Sequence, residues 1–248
     1  MQTFSIPKSM RENATYTFCP GCDHGLAIRM VAELLDEFNL KEKALTAVSV
    51  GCSVFLYDFL EVDALEAPHG RALACATGMR RAHPDKFVFT YQGDGDFASI
   101  GLAESMHAAS RGELISTICI NNTLYGMTGG QLGPTTVLNQ VTTTSPKGRN
   151  REYHGFPMRI TEQIAQCEGT AFAARVSLDS PAAIMNAKKA MRKAFEAQIN
   201  GLGFGFVEIL SSCPTNWKMT PVNAHKHIKD NLTKVYPLGT FKDITEVK

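Results

Sequence analysis

Two short polar motifs in this chain carry oxygen ligands for a divalent cation, and each directly follows an apolar run. Gly93-Asp94-Gly95-Asp96 comes after Phe87 to Tyr91, a β-branched and aromatic stretch, and Asn121-Asn122 comes after Leu114 to Ile120. Between them Phe97 to Ala109 has helix-compatible apolar spacing, so the order reads strand, helix, strand. A crossover of that kind makes the two strands parallel and almost always right-handed, which puts both motifs at the same carboxyl edge of one sheet. Mg2+ takes about six oxygens at roughly 2.0–2.1 Å and usually draws some from a substrate phosphate. Asp94 and Asn122 can both contribute. Gly93 and Gly95 let backbone approach a bulky anion, and a helix beginning after Asp96 aims its free N–H groups at a phosphate. Either motif alone reads as a tight turn. At this spacing, each after a strand, they read together as a diphosphate-plus-metal site.

The second set of reactive residues is the cysteines. There are seven, an odd number without an export signal, which argues for metal ligation or core packing over a disulfide framework. Cys19-Pro20-Gly21-Cys22 can turn two thiolates toward one metal, just before a helix marked by Leu26, Ile28, Val31, Leu34, Leu35 and Phe38. A lone CxxC reads equally as zinc, iron-sulfur or redox dithiol. Cys52 directly follows the buried-strand pattern Ala44 to Val50, and Cys213 follows another, Phe204 to Leu210. In a doubly wound sheet both strand ends lie at the carboxyl edge with Asp94 and Asn122, where ligands collect. Four cysteines thus converge near the diphosphate site, holding zinc or a 4Fe-4S cluster. Cys75, Cys119 and Cys167 lie inside periodic elements and read as small buried hydrophobes.

GDGD followed by NN resembles the thiamine-diphosphate fingerprint. The continuation LYGMTGGQ, Leu124 to Gln131, narrows the likeness to the β subunit of 2-oxoacid:ferredoxin oxidoreductases, from about Phe18 to Trp217. The resemblance implies that Asp94, the Asn122 side chain and the Leu124 carbonyl hold Mg2+, with Gly95, Asp96, Gly126 and Met127 along the diphosphate. It also implies contacts to thiamine diphosphate from His69, Val50, Gly51, Cys52 and Ser53, and a 4Fe-4S cluster on Cys19, Cys22, Cys52 and Cys213. Read without the family, His69 and Arg71 simply cap and solvate a helix end. Asp23 departs from the family, which often has Gly after this CxxC; a lone Asp is expected in solvent, although beside Cys22 it would alter local charge.

By that likeness the chain takes part in CoA-dependent oxidative decarboxylation of a 2-oxoacid, with electrons passing to ferredoxin. TTTSPKGR and CPTNW look closer to the branched-chain or 2-oxoglutarate branches than to the pyruvate branch. No catalytic acid or base is assigned here; the Glu that activates the aminopyrimidine is expected from an α-type subunit carrying the pyrimidine-binding domain, alongside γ and δ-like chains. Two rival readings predict different metals. A non-redox thiamine decarboxylase or synthase subunit has no use for four convergent cysteines, and a zinc-stabilised interaction subunit with a vestigial motif holds zinc and no thiamine.

The elements that must position these residues form an α/β pattern. The 248 residues suit one doubly wound, mostly parallel domain, with an N-terminal arm at 1–17 and an extended tail at 218–248. A net charge of +1 gives no field for nucleic acid or anionic lipid. No apolar run reaches membrane-helix length and Met1 to Thr17 lacks a signal-peptide centre, so a cytoplasmic protein without membrane contact is expected. Between Phe55 and Ala82 the run Glu66 to Ala82 reads as a loop entering a helix; Thr128 to Pro157 is a long Gly-, Pro- and Thr-rich loop of the lid or binding type, whose Thr135, Thr136, Thr142, Thr143 and Thr144 offer hydroxyls. Thr161 reads as an N-cap, Thr170 to Val176 as a strand, and Ser180-Pro181 as cap and first residue of an amphipathic helix with Met185, Met191 and Phe195 in the core. His225 and His227 are two apart on a helix between Pro221 and Pro237 and diverge, so they form no metal pair. Glu61, Glu66 and Glu104 read as solvated or ion-paired. The tail lies on a partner or returns over the domain.

Overall fold

Nine strands organise the described residues: β1 (Ala44–Ser49), β2 (Asp63–Ala67), β3 (Phe87–Gly93), β4 (Ser116–Asn121), β5 (Leu124–Tyr125), β6 (Gln131–Leu132), β7 (Thr170–Ser177), β8 (Phe204–Leu210) and β9 (Gly239–Asp243). They belong to a computed structural model that describes residues 5–245, so the ends of the expected arm and tail, 1–4 and 246–248, lie outside the described residues. Seven strands form one sheet in the order β2-β1-β3-β4-β8-β7-β9, and β5 and β6 make a separate short hairpin. Every pairing in the large sheet is parallel except β7 with β9. The mostly parallel α/β sheet expected from the apolar runs is therefore present.

Central strands β3, β4, β7 and β8 are buried almost throughout, which is why they read as continuous apolar runs instead of alternating ones. Helices cover both faces. His24–Glu37 and Pro181–Ile199 pack on one side around Phe87, Phe89 and Phe195, with the Phe87 and Phe195 rings 4.7 Å apart. Ala72–Ala82, Leu102–Arg111 and Ile160–Gln166 pack on the other. Ser180 caps its helix by accepting from the Ala183 N–H, as the Ser-Pro pair predicts. The helix after Gly95 opens as a wide turn, Asp96–Ile100, before regular winding from Leu102. Backbone of the Gly70 loop packs against that turn: a Cβ at Gly101 would stand 2.5 Å from the Gly70 carbonyl.

Several expectations need correcting. The segment from Phe55 to Ala82 contains β2, an edge strand whose first four residues are exposed and carry Asp63 and Glu66; charge on an edge deters pairing with other chains and erases the apolar signal. Thr161 is not the cap of its helix, since Arg159 occupies that position; Thr161 lies in the first turn and donates to the buried Glu208 carboxylate. Met191 and Phe195 are in the core, but Met185 is 59% exposed on the outer face of the same helix. Cys119 is fully buried, Cys75 half-buried, and Cys167 ends its helix as the C-cap. The tail returns over the domain: β9 pairs antiparallel with β7 and closes that side of the sheet. There the guanidinium of Arg175, fully buried, meets Glu208 at 2.7 Å and Glu162 at 2.5 Å and lies against the Tyr236 and Phe241 rings. Among the described residues, no helix is long and apolar enough to cross a membrane.

Candidate cofactor and metal site

β3 and β4 are adjacent and parallel, so Asp94 and Asn122 leave the sheet side by side at its carboxyl edge. Asp94 is 2% exposed. Its carboxylate accepts from the Thr135 hydroxyl, and no Lys, Arg or His acts on it among the described residues. Burial pushes its pKa up to about 7, because the charged form has lost water without gaining a cation. The long loop that follows the hairpin is thus tied to this carboxylate from its first turn. Asn122 uses its side-chain oxygen to accept from the Leu124 N–H at 3.2 Å, which tightens the turn beyond β4. A Cβ at Gly93 would meet nothing within 4 Å: its bare backbone faces open space. Gly95 differs, since a Cβ there would collide with the Tyr125 ring at 2.2 Å.

A cleft of about 70 Å3 brings together Val50, Gly51, Cys52, Ser53, His69, Asp94, Gly95, Asp96, Asn122, Leu124, Gly126 and Met127. Asp96 belongs to this lining, and its carboxylate is held by donors of the fold. It accepts from Ser49 Oγ at 2.6 Å, the Gly70 N–H at 2.5 Å, Gln92 Nε2 at 2.5 Å and His69 Nδ1. Four donors on one buried carboxylate fasten three strand ends together and leave the His69 Nε2 free to face the cleft. His24 also borders it, stacked on Phe18 and hydrogen-bonded to the Tyr91 hydroxyl at 2.8 Å, with a pKa pushed down to about 3 by burial. A much larger groove of about 1210 Å3 lies beyond Trp217 and shares no residue with this cleft.

Cys19, Cys22, Cys52 and Cys213 gather next to the cleft. Cys19 is exposed and the other three are half-buried. Burial raises the Cys22 thiol to about 12 and the Cys52 thiol to about 11, with neighbouring cysteines adding to the rise. Among the described residues, no three His, Cys, Asp or Glu side chains close on a point tightly enough for a single ion. The CPGC turn depends on Gly21, whose φ is +77°. Asp23 does not face solvent as expected: it is 4% exposed, accepts from the Ser212 N–H at 2.7 Å, and accepts from His225 Nε2 at 2.8 Å. That ion pair raises the His225 pKa and binds the late helix Pro221–His227 to the CxxC loop. His225 and His227 diverge, as their spacing requires.

The sequence marks Thr135 only as one of several hydroxyls and His225 only as half of a diverging pair, and it gives no role to Asn216 or Arg149. Asn216 carried one usable signal, its place a single turn after Cys213. Arg149 carried none: it is 5% exposed, and its guanidinium donates to the carbonyls of Gly133, Pro134, Thr136, His154, Gly155 and Phe156.

A parallel sheet with GDG and NN turns at its carboxyl edge defines a thiamine-diphosphate-binding domain, and residues 49–209 match the thiamine pyrophosphate enzyme family, C-terminal TPP binding domain. The curated relatives narrow it further. The chain is 42% identical to the ketoisovalerate oxidoreductase subunit VorA of Methanothermobacter thermautotrophicus over 91% of its own length and 47% of that protein, so it spans about half the length of this relative. It is 35% identical to the 2-oxoglutarate synthase subunit KorB of Methanocaldococcus jannaschii, over 96% of this chain and 86% of that one. The 2-oxoglutarate:ferredoxin oxidoreductase of Magnetococcus marinus, solved with 2-oxoglutarate, coenzyme A and succinyl-CoA bound, shares the fold with a TM-score of 0.78 at 24% identity, covering 98% of this chain and 86% of that one. The chain belongs to the 2-oxoacid:ferredoxin oxidoreductase family, as its thiamine-diphosphate-binding, β-type subunit.

Proposed function

We propose that this chain holds the diphosphate end of thiamine diphosphate, through Mg2+, and a 4Fe-4S cluster, within a complex that converts a 2-oxoacid, CoA and oxidised ferredoxin to an acyl-CoA, CO2 and reduced ferredoxin. The observation that carries it is Asp94, a buried carboxylate with no basic partner among the described residues, beside Asn122 on the neighbouring strand end. A carboxylate kept dry without a protein cation suits a metal ligand, since Mg2+ supplies the missing charge. Open space over Gly93 suits an anion that follows the metal.

When bound, thiamine diphosphate supplies the electron sink for loss of CO2, and the cluster takes electrons one at a time. The residues of this chain do the rest. Asp94, Asn122 and the Leu124 carbonyl would hold Mg2+, with Thr135 orienting the Asp94 carboxylate. Backbone of Gly95, Asp96, Gly126 and Met127 would follow the diphosphate, and Val50 to Ser53 with His69 would line the rest of the cofactor. Asp96 holds His69 by its Nδ1, which leaves Nε2 to meet what enters the cleft. Cys19, Cys22, Cys52 and Cys213 would ligate the cluster, with Cys52 in the lining of the cleft beside the cofactor. The α-type subunit that supplies the activating Glu would cover the remainder of the cofactor, with γ and δ-like chains as further members of the complex. Ketoisovalerate and 2-oxoglutarate are the substrates to test first, given the names of the relatives.

Metal and sulfide analysis of anaerobically purified complex tests this reading. Iron and acid-labile sulfide in equal amounts are expected. Zinc without sulfide would establish the interaction-subunit alternative, and thiamine diphosphate binding without iron the non-redox one.

A further inference from the structure

Asn216 stands between the cofactor loop and the cysteine cluster, and its amide touches both. Its Nδ2 donates to the Gly126 carbonyl at 2.9 Å and to the Cys213 sulfur at 3.3 Å. The side chain is confined on the loop side by glycines: a Cβ at Gly130 would stand 3.1 Å from its Cβ, and one at Gly126 would stand 3.8 Å from its Nδ2. A Cβ at Gly126 would also stand 3.5 Å from the Cys52 sulfur and 3.1 Å from the Asn122 amide nitrogen. The Gly126 segment therefore lies beside the candidate Mg2+ ligand Asn122, the candidate cluster ligand Cys52 and the Asn216 amide, which in turn reaches Cys213. Asn216 itself sits in the helix Pro214–Trp217, whose last residue donates its indole N–H to the Asn122 carbonyl at 3.1 Å. The helix is thus pinned to the metal turn on one side and to Cys213 on the other.

We infer that Asn216 is a positioning residue that sets the reduction potential of the cluster and couples it to occupancy of the diphosphate site, through one amide shared between Gly126 and Cys213. The physical reason is charge. An N–H aimed at a cysteinate sulfur stabilises the more electron-rich, reduced cluster and so raises its potential; hydrogen bonds to the ligand sulfurs are among the main levers a protein has on that potential. Because the same amide group also serves the Gly126 carbonyl, any shift of the loop on binding the diphosphate changes the donor available to Cys213. The backbone N–H of Asn216 acts on Cys213 as well, which keeps a residual donor in place when the side chain is removed.

This inference rests on the iron-sulfur reading above, and the test separates the two. Asn216→Asp keeps the shape and removes the amide donor, and Asn216→Ala removes the side chain. Each is made in the assembled complex and compared with the wild type by iron and sulfide analysis and by a redox titration followed by electron paramagnetic resonance, with and without Mg2+ and thiamine diphosphate. Both variants are expected to retain iron and sulfide and to titrate at a more negative potential, with the reduced-to-oxidised ratio at fixed ambient potential falling by up to about tenfold, or about 59 mV for a one-electron couple. In the wild type the potential is expected to shift when Mg2+ and thiamine diphosphate bind, and in both variants that shift is expected to shrink or vanish. A full cluster with an unchanged potential in both variants would overturn the inference. So would loss of iron from both, which would make Asn216 a structural residue alone. Absence of iron and sulfide from the wild type would instead sink the reading on which the inference rests.

Discussion

Asp94 shows how one buried residue links the fold to its ligand. Its pKa is raised from the usual 3.8 to about 7, so in the metal-free protein its contribution to stability is present below pH 3.8 and lost as pH rises through about 7. The size of that loss is on the order of 4 kcal/mol at one pKa unit per 1.36 kcal/mol. Asp94→Asn should flatten the fall in melting temperature between pH 4 and 7 without metal, while abolishing Mg2+-dependent thiamine diphosphate binding in isothermal titration. Unchanged affinity in the variant would reduce Gly93 to Gly95 to a mere turn. The cysteines divide by the same logic of place. Serine at Cys19, Cys22, Cys52 or Cys213 should lose or convert the cluster, read as iron, sulfide and the paramagnetic signal. Serine at Cys75, Cys119 or Cys167 should keep full iron and cost about 1–3 kcal/mol in packing. Iron lost only in the second group would assign the ligands wrongly.

At the scale of elements, the long Thr-rich loop is organised by Arg149, whose guanidinium gathers carbonyls from both ends of the segment 133–156. It holds Thr135 on Asp94 from one side, and the Tyr236 hydroxyl holds the Thr135 carbonyl from the other. Arg149→Met should leave those carbonyls without donors, costing about 3 kcal/mol or more and lowering the melting temperature by roughly 6–12 °C. Limited proteolysis should then cut within 133–156, and an uncut loop with an unchanged melting temperature would refute this account. Such an arrangement has no periodic signature, so the sequence marks the loop but not its order. The parallel strands were legible because both faces are buried and each shows a continuous apolar run, as in Phe204–Leu210. β2 was hidden by its charged, exposed residues, and β9 by polar residues whose pairing is decided by the open edge of β7. That Asp94, Asn122, Cys52 and Cys213 share one edge was legible because each closely follows a parallel strand. Asp23, Asn216 and His225 were not, since their roles come from contacts across some 90 to 200 positions of chain.

For the molecule as a whole, the described residues form one seven-stranded sheet and a two-stranded hairpin, with the cleft at the carboxyl edge of the sheet. At that edge Cys19 is the exposed member of the cysteine group, Cys52 lies beside the Gly126 loop, and Cys213 is joined to that loop through the Asn216 amide. Among the described residues no carboxylate other than Asp94 and Asp96 borders the cleft, and Asp96 is spent on four donors. Neither is free to activate an aminopyrimidine by hydrogen bonding, since one is the candidate metal ligand and the other is turned into the fold. The chain purified alone should therefore reduce no viologen with a 2-oxoacid and CoA, even with Mg2+, thiamine diphosphate and an intact cluster supplied. Co-expression with a chain carrying a pyrimidine-binding domain should restore the activity, and changing that partner's cleft-facing Glu to Gln should remove it again while the iron content of this chain stays constant. Turnover by the single chain would show that its own residues complete the site, and His69, the free-faced histidine of the cleft, would then be the first residue to change.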